Sequence, residues 1–130
     1  MSLSVHIVTP EREVWSGDAT MVGARGIEGE VGILAGHAPL LVRLSIGVVR
    51  IQTADGPVRA VVDGGFLHVT SQEGVTRVDV LASHAELESE IDQEAARRRL
   101  EDAERHLQEN DTETAKHEVA KALARTSLSG

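Results

Sequence analysis

Gly26-Ile27-Glu28-Gly29-Glu30-Val31-Gly32-Ile33-Leu34-Ala35-Gly36-His37-Ala38-Pro39-Leu40-Leu41 is the stretch that decides how this chain is read. Its glycines at 26, 29, 32 and 36 let the backbone take positive φ or approach another surface closely. Pro39 fixes its own φ and pushes Ala38 towards an extended conformation. Gly36 to Pro39 is therefore expected to be a stiff, exposed corner between two apolar runs, suited to contact with another polypeptide.

Outward from that corner the chain divides. Eleven of the 12 glycines and all 3 prolines lie between Pro10 and Gly74, and Val75 to Ser129 contains neither residue. Before the divide the punctuation is that of strands and tight turns; beyond it Ala, Glu and Arg dominate, as in helices. Leu3, Val5 and Ile7 alternate with Ser4 and His6, the period of a half-buried strand. Val14 to Trp15 and Ala19 to Val22 flank Ser16-Gly17-Asp18, whose composition predicts a turn. Val31 to Leu34, Leu40 to Leu44 and Ile46 to Gln52 are further apolar runs. Gly47 to Gln52 with Val58 to Val62, and Phe66 to Thr70 with Val75 to Leu81, read as hairpins across Ala54-Asp55-Gly56-Pro57 and Gln72-Glu73-Gly74. The fold class is α+β: a flattened β-sandwich or barrel of about eight to ten short strands over residues 1–83, then a C-terminal antiparallel two-helix hairpin over residues 84–130.

In the second part, Ser89 followed by Asp92 is a plausible helix start. Ile91, Ala95, Leu100, Ala103 and Leu107 fall near one face of that helix. Asn110-Asp111-Thr112 supplies a turn and cap for a second helix with Ala115, Val119, Ala122 and Leu123 at helical spacing. So few large apolar side chains cannot offset the ordering of about thirty residues at ~1 to 2 kcal/mol each. The hairpin therefore needs a surface to dock on, and a weakly docked element can exchange between two surfaces.

Composition narrows the function. A net charge of -8 repels nucleic-acid backbones and anionic lipid headgroups. Trp15 and Phe66 are the only aromatics, so the core must be Val, Ile, Leu and Ala, and no stacking platform for bases exists. Without cysteine there are neither disulfides nor thiolate metal sites. Met1 to Thr9 does not have the pattern of a secretion signal, and no run of ~18 apolar residues occurs, so membrane association is expected only through partners.

The motif search favours binding over catalysis. The glycine run lacks the Gly-Lys-Ser/Thr of a phosphate cradle. The six histidines, at 6, 37, 68, 84, 106 and 117, show no metal-ligand spacing, and no metal site is expected. No serine sits in a nucleophile elbow, and the acids are dispersed. Arg97-Arg98-Arg99 fans over 300° of a helix and reads as a solvated face paired with Glu94, Glu101 and Asp102. No catalytic residue is assigned.

Two long motifs carry a resemblance. The run from Glu28 to Leu41 and the run Val62-Asp63-Gly64-Gly65-Phe66-Leu67-His68-Val69 closely resemble the bacterial F-type ATP synthase epsilon subunit, and the order of features matches from Leu3 to Arg125. The resemblance implies a non-catalytic part of the central stalk, peripheral to the cytoplasmic side of the bacterial plasma membrane, in a complex that makes ATP using a proton gradient. It implies that the sandwich binds the gamma subunit and the membrane rotor c-ring, with Glu30, Gly36, His37, Ala38 and Pro39 matching the family loop that faces the ring.

It implies further that the hairpin lies folded on the sandwich or extends to the alpha and beta catalytic subunits, where it blocks ATP hydrolysis. Some members bind ATP in the folded state through Ile/Leu-Asp-x-x-Arg-Ala and a basic pair one turn apart on the second helix. The matching positions here are Ile91, Asp92, Lys121 and Arg125, with Ala95 where the arginine belongs. An arginine fork is a natural phosphate partner and a methyl group is not, so ATP is expected to bind weakly or not at all and no cofactor is assigned. A stand-alone interaction module and a nucleotide sensor are the alternatives.

Overall fold

The computed structural model describes residues 2–129. Eight strands come first: β1 Leu3–Val8, β2 Glu13–Ala19, β3 Met21–Gly26, β4 Gly29–Leu34, β5 Leu40–Thr53, β6 Gly56–Gln72, β7 Val75–Leu81 and β8 Ala85–Leu87. Two helices follow, α1 Gln93–Glu109 and α2 Glu113–Thr126. The strands run in the order β2-β1-β7-β6-β5-β3-β4, with β8 also on β6. Among the described strands, only β1 and β7 pair in parallel.

Two strands are longer than the sequence suggests. The runs Leu40–Leu44 and Ile46–Gln52 form a single strand of 14 residues, and Val58–Val62 and Phe66–Thr70 belong to one of 17. Their shared hairpin keeps one register, from Leu40↔Val69 to Thr53↔Gly56, on both sides of a kink at Gly64 and Gly65. Both glycines have positive φ, +76° and +110°, and a Cβ on Gly65 would lie 2.1 Å from the Leu81 carbonyl oxygen. The kink lets one strand serve two layers: the last part of β6 pairs with β7, the first part with β8. Between the layers lie Leu3, Ile7, Val22, Ile33, Ile51, Leu67, Val69, Val78 and Val80, all fully buried. Aliphatic side chains make this core, as composition predicts; Phe66 is exposed and Trp15 half-buried.

Ser16-Gly17-Asp18 is not a turn. It lies within β2, where Gly17 pairs with Val5. A Cβ on Gly17 would come within 2.9 Å of the Trp15 ring, so this glycine makes room for the indole two residues back on the same strand face.

Past Ser83 the chain stays on the sandwich. β8 pairs with β6, the 3-10 turn Glu88–Glu90 follows it, Arg59 forks onto Glu88 at 2.8 and 2.6 Å, and Arg12 reaches Glu90 at 2.9 Å. α1 begins later than Ser89 implies. Its cap is Asp92, whose Oδ1 accepts from the amides of Glu94 and Ala95 at 3.0 and 3.2 Å. Thr112 caps α2 as its composition predicts, accepting from the Ala115 amide at 3.1 Å.

The hairpin is folded against the sandwich. α2 rests on β5 and β6, and α1 packs on α2. The side chains it buries are mostly alanines, at 96, 103, 115, 122 and 124, with Leu128 just beyond α2. Ala124 and Leu128 join Val61, flanked by Ile46, Val48 and Ile91. Leu123, placed on the apolar face by spacing, is 49% exposed, and Ala96 takes the inward place expected of Ala95. A helix approaching a sheet this closely selects small residues along its line of contact and turns the larger ones aside.

Candidate functional site

The corner Gly36–Pro39 joins edge strand β4 to β5. Gly36 has φ +86°, which only glycine adopts readily, and its amide donates to Oγ1 of the buried Thr76 at 2.8 Å. The His37 amide donates to the Leu34 carbonyl at 3.1 Å, closing the turn. His37 Nδ1 donates to the Ala38 carbonyl at 2.7 Å, which fixes the imidazole against its own backbone. Ala38 and Pro39 are exposed. Turn hydrogen bonds, a tether to β7 and Pro39 thus hold a small protrusion with few rotatable side chains.

Glu30 does not share that corner. It sits near the start of β4, ion-paired with Arg50 at 2.8 Å, about 13 Å along the strand from Leu34 at ~3.3 Å per residue. The structure puts Glu30 instead in a cleft of about 400 Å³ lined by Ile27, Val31, Leu40, Leu41, Val42 and Arg43, among others. Ile27, Leu34 and Leu41 are 57%, 60% and 64% exposed along this edge. Sequence spacing could not reveal Leu34 and Leu41 as exposed, because each belongs to an apolar run. The rim therefore offers a rigid corner at one end, a salt bridge at the other and uncovered aliphatic side chains between, an arrangement suited to holding a protein surface.

The second set of candidates lies at the hairpin. Ile91, Asp92 and Arg125 border one cleft of about 150 Å³, and Lys121 lies one helical turn away on a larger cleft between α1 and α2. None of the four is idle in the folded state. Ile91 packs beside Val61, Asp92 caps α1, Arg125 Nε donates to Glu86 at 3.0 Å, and Lys121 pairs with Asp63 at 3.4 Å. Ala95 lines the smaller cleft and brings no cation to it.

Arg97, Arg98 and Arg99 are all exposed, as a solvated face requires, and Arg99 also lines both clefts. Three consecutive helical positions point about 100° apart, so one of the three had to face α2; the fan itself was the available signal. Arg98 does pair with Glu94, at 3.3 Å. Among the described residues, no group of three His, Asp or Glu side chains is placed to hold a metal ion.

Comparison with known proteins agrees with this architecture. The family model described as "ATP synthase, Delta/Epsilon chain, beta-sandwich domain" matches residues 2–88. The ATP synthase epsilon chain of Thermobifida fusca is 52% identical over 106 residues, covering 79% of this chain and 75% of that protein. This chain belongs to the ATP synthase epsilon chain family. The epsilon chain of Brevibacillus brevis is 45% identical over 108 residues, covering 82% of this chain and 79% of its relative.

Among solved structures, a chain of the Euglena gracilis mitochondrial ATP synthase, OSCP/F1/c-ring in rotational state 1, superposes with TM-score 0.76 over 98% of this chain and 80% of its own length at 24% identity. A chain of the Tetrahymena thermophila mitochondrial ATP synthase central stalk/c-ring gives TM-score 0.53 over 98% and 93% at 17% identity. These two are likenesses of fold. As an epsilon chain, the protein is a component of a larger assembly and not its catalytic subunit, and among its described residues no helix is long and apolar enough to cross a membrane.

Proposed function

We propose that this epsilon chain sits in the central stalk of a proton-driven F-type ATP synthase on the cytoplasmic face of the bacterial plasma membrane, joining gamma to the c-ring and performing no bond chemistry itself. The observation that carries the reading is the tethered corner: Gly36 bonded to Thr76, His37 folded onto Ala38, and Pro39 beyond them. Such a protrusion loses little conformational entropy when a partner seats against it, and a stiff contact transmits load without turning over a substrate. Glu30 and the exposed aliphatic rim supply the second half of that contact. The two structural neighbours belong to assemblies of an F1/c-ring and of a central stalk with its c-ring, which supports the same partners.

We further propose that the sandwich body extends to Glu90 and that the hairpin beyond it restrains ATP hydrolysis. β8, Arg59 with Glu88, and Arg12 with Glu90 support a hinge at Ile91 and Asp92, past the last of these anchors. The reconstituted complex with the whole chain is compared with one whose chain ends at Glu90. Unchanged ATP synthesis with raised hydrolysis in the shortened form is expected. Equal hydrolysis in both would refute the braking role, and loss of synthesis would refute the assignment of coupling to the sandwich alone.

A further inference from the structure

Asp63 of β6 and Glu86 of β8 stand on paired strands and face the same helix. Val61 lies opposite Glu86, and the Asp63 amide donates to the His84 carbonyl at 3.1 Å, so the two acids are diagonal neighbours across the pair. Backbones at such positions are ~7 to 8 Å apart, with the Cβ atoms somewhat closer. Facing them on α2 are Lys121 and Arg125, one helical turn and ~6 Å apart. Lys121 Nζ lies 3.4 Å from Asp63 Oδ2, and Arg125 donates to Glu86 from Nε at 3.0 Å and from Nη2 as well. Two acids and two bases thus meet at matching spacing beside Val61, against which Ala124 and Leu128 pack.

These pairs differ from the exposed ones along the hairpin, such as Arg98 with Glu94 and Arg105 with Asp102, which contribute little. The side chains of Arg125 and Asp63 are 14% and 15% exposed, and those of Glu86 and Lys121 25% and 31%. Charges so far out of water are satisfied mainly by each other, and removing one strands its partner. His84 and His117 flank the same carboxylates at 3.4 and 3.1 Å. An imidazole N–H serves a carboxylate oxygen in the neutral ring as well as in the charged one, so the fixed charge comes from Lys121 and Arg125. The apolar seat beside them is non-directional and does not by itself choose a register.

We propose that Asp63 and Glu86, with Lys121 and Arg125, form a two-point charge clasp that decides whether, and in which register, the hairpin lies on the sandwich. Both pairs close only with α2 at one height, because a slip of one turn leaves one carboxylate without its fixed cation. Lifting α2 leaves two like charges as neighbours on the sheet, which opposes release. The inference rests on the reading that the hairpin leaves the sandwich.

The whole chain has no cysteine of its own, so Ala124→Cys places a single thiol beneath α2, beside Val61. A neutral alkylating reagent reaches it when the hairpin lifts, and each rate is divided by that of the same chain in denaturant. Glu86→Gln, Glu86→Arg and Arg125→Glu are each expected to speed labelling about tenfold or more. Glu86→Arg combined with Arg125→Glu rebuilds the pair with its ends exchanged, and should return the rate to within about threefold of the parent. Glu88→Gln, which breaks a fork internal to the sandwich, should leave the rate within about twofold. Labelling of Glu86→Gln at the parent rate, a double exchange no slower than the faster single, or equal acceleration by Glu88→Gln overturns the clasp. Because the thiol reports on the isolated chain, failure here is separable from failure of the hydrolysis brake, which the shortened chain judges in the complex.

Discussion

The amide of Gly36 and the hydroxyl of Thr76, forty residues apart in sequence, meet at 2.8 Å and fasten the exposed corner to an interior strand. Thr76 is 2% exposed, so its side chain is a fixed acceptor and not a surface rotor. Thr76→Val keeps the shape and removes the acceptor. We expect a loss of about 1 kcal/mol in denaturant unfolding, faster hydrogen exchange at the Gly36 amide, and weaker binding to the c-ring. Thr76→Ser should restore all three; a valine variant with unchanged exchange would show that the tether does not hold the corner.

Gly65→Ala should be the most damaging single methyl in the chain. Its φ of +110° disfavours any side chain, and the Cβ would overlap the Leu81 carbonyl. We expect a loss of about 3 kcal/mol or more. Gly47→Ala, where a Cβ meets nothing within 4 Å, should stay within about 0.5 kcal/mol. Equal unfolding midpoints for the two variants would contradict the account of the kink.

The side chain of Arg12, and after it the Leu87 amide, hold the Glu90 carboxyl below the ordinary glutamate range. A depressed folded-state pKa contributes stability that is present above the unfolded value and is lost as pH falls through the folded one. Glu90→Gln should therefore melt below wild type at neutral pH, with the gap narrowing as pH falls through the folded carboxyl's lowered range. A gap that persists unchanged in acid would mean that the carboxylate charge is not what anchors the turn.

Ala95 lines the small hairpin cleft without supplying a cation. Wild type should show little heat or thermal stabilisation with magnesium ATP. Ala95→Arg should tighten binding roughly 10- to 100-fold, corresponding to a charged hydrogen bond of ~1.5 to 3 kcal/mol. Equal titrations for the two would remove nucleotide binding from this cleft.

Where the chain's chemistry is local, the sequence was legible. Alternation over Leu3 to Ile7, the turns at Asp55 and Gly74, and the Thr112 cap all appear where composition places them. Glycine misled where its use is not a turn. Gly17 clears space for Trp15, and Gly64 with Gly65 bends a strand without ending it, and both uses share a composition with turns. The candidate rim was half legible: the corner announces itself through Pro39 and Gly36, but its separation from Glu30 is set by β4, whose length only pairing with β3 defines. Arg99 and Asp63 were obscured for a common reason, since each acquires its neighbours from an element distant in the chain.

On the proposal that the hairpin leaves the sandwich, the alanines beneath it bear on how it would behave over many cycles. A methyl group has no rotamers to freeze on docking and leaves no deep socket behind when it lifts. Parting such surfaces uncovers shallow, self-similar ground on each side, so neither half must repack before they meet again. A lever resting on that kind of seat can be raised and lowered repeatedly with little hysteresis, and its bias then falls to the handful of charges around its rim.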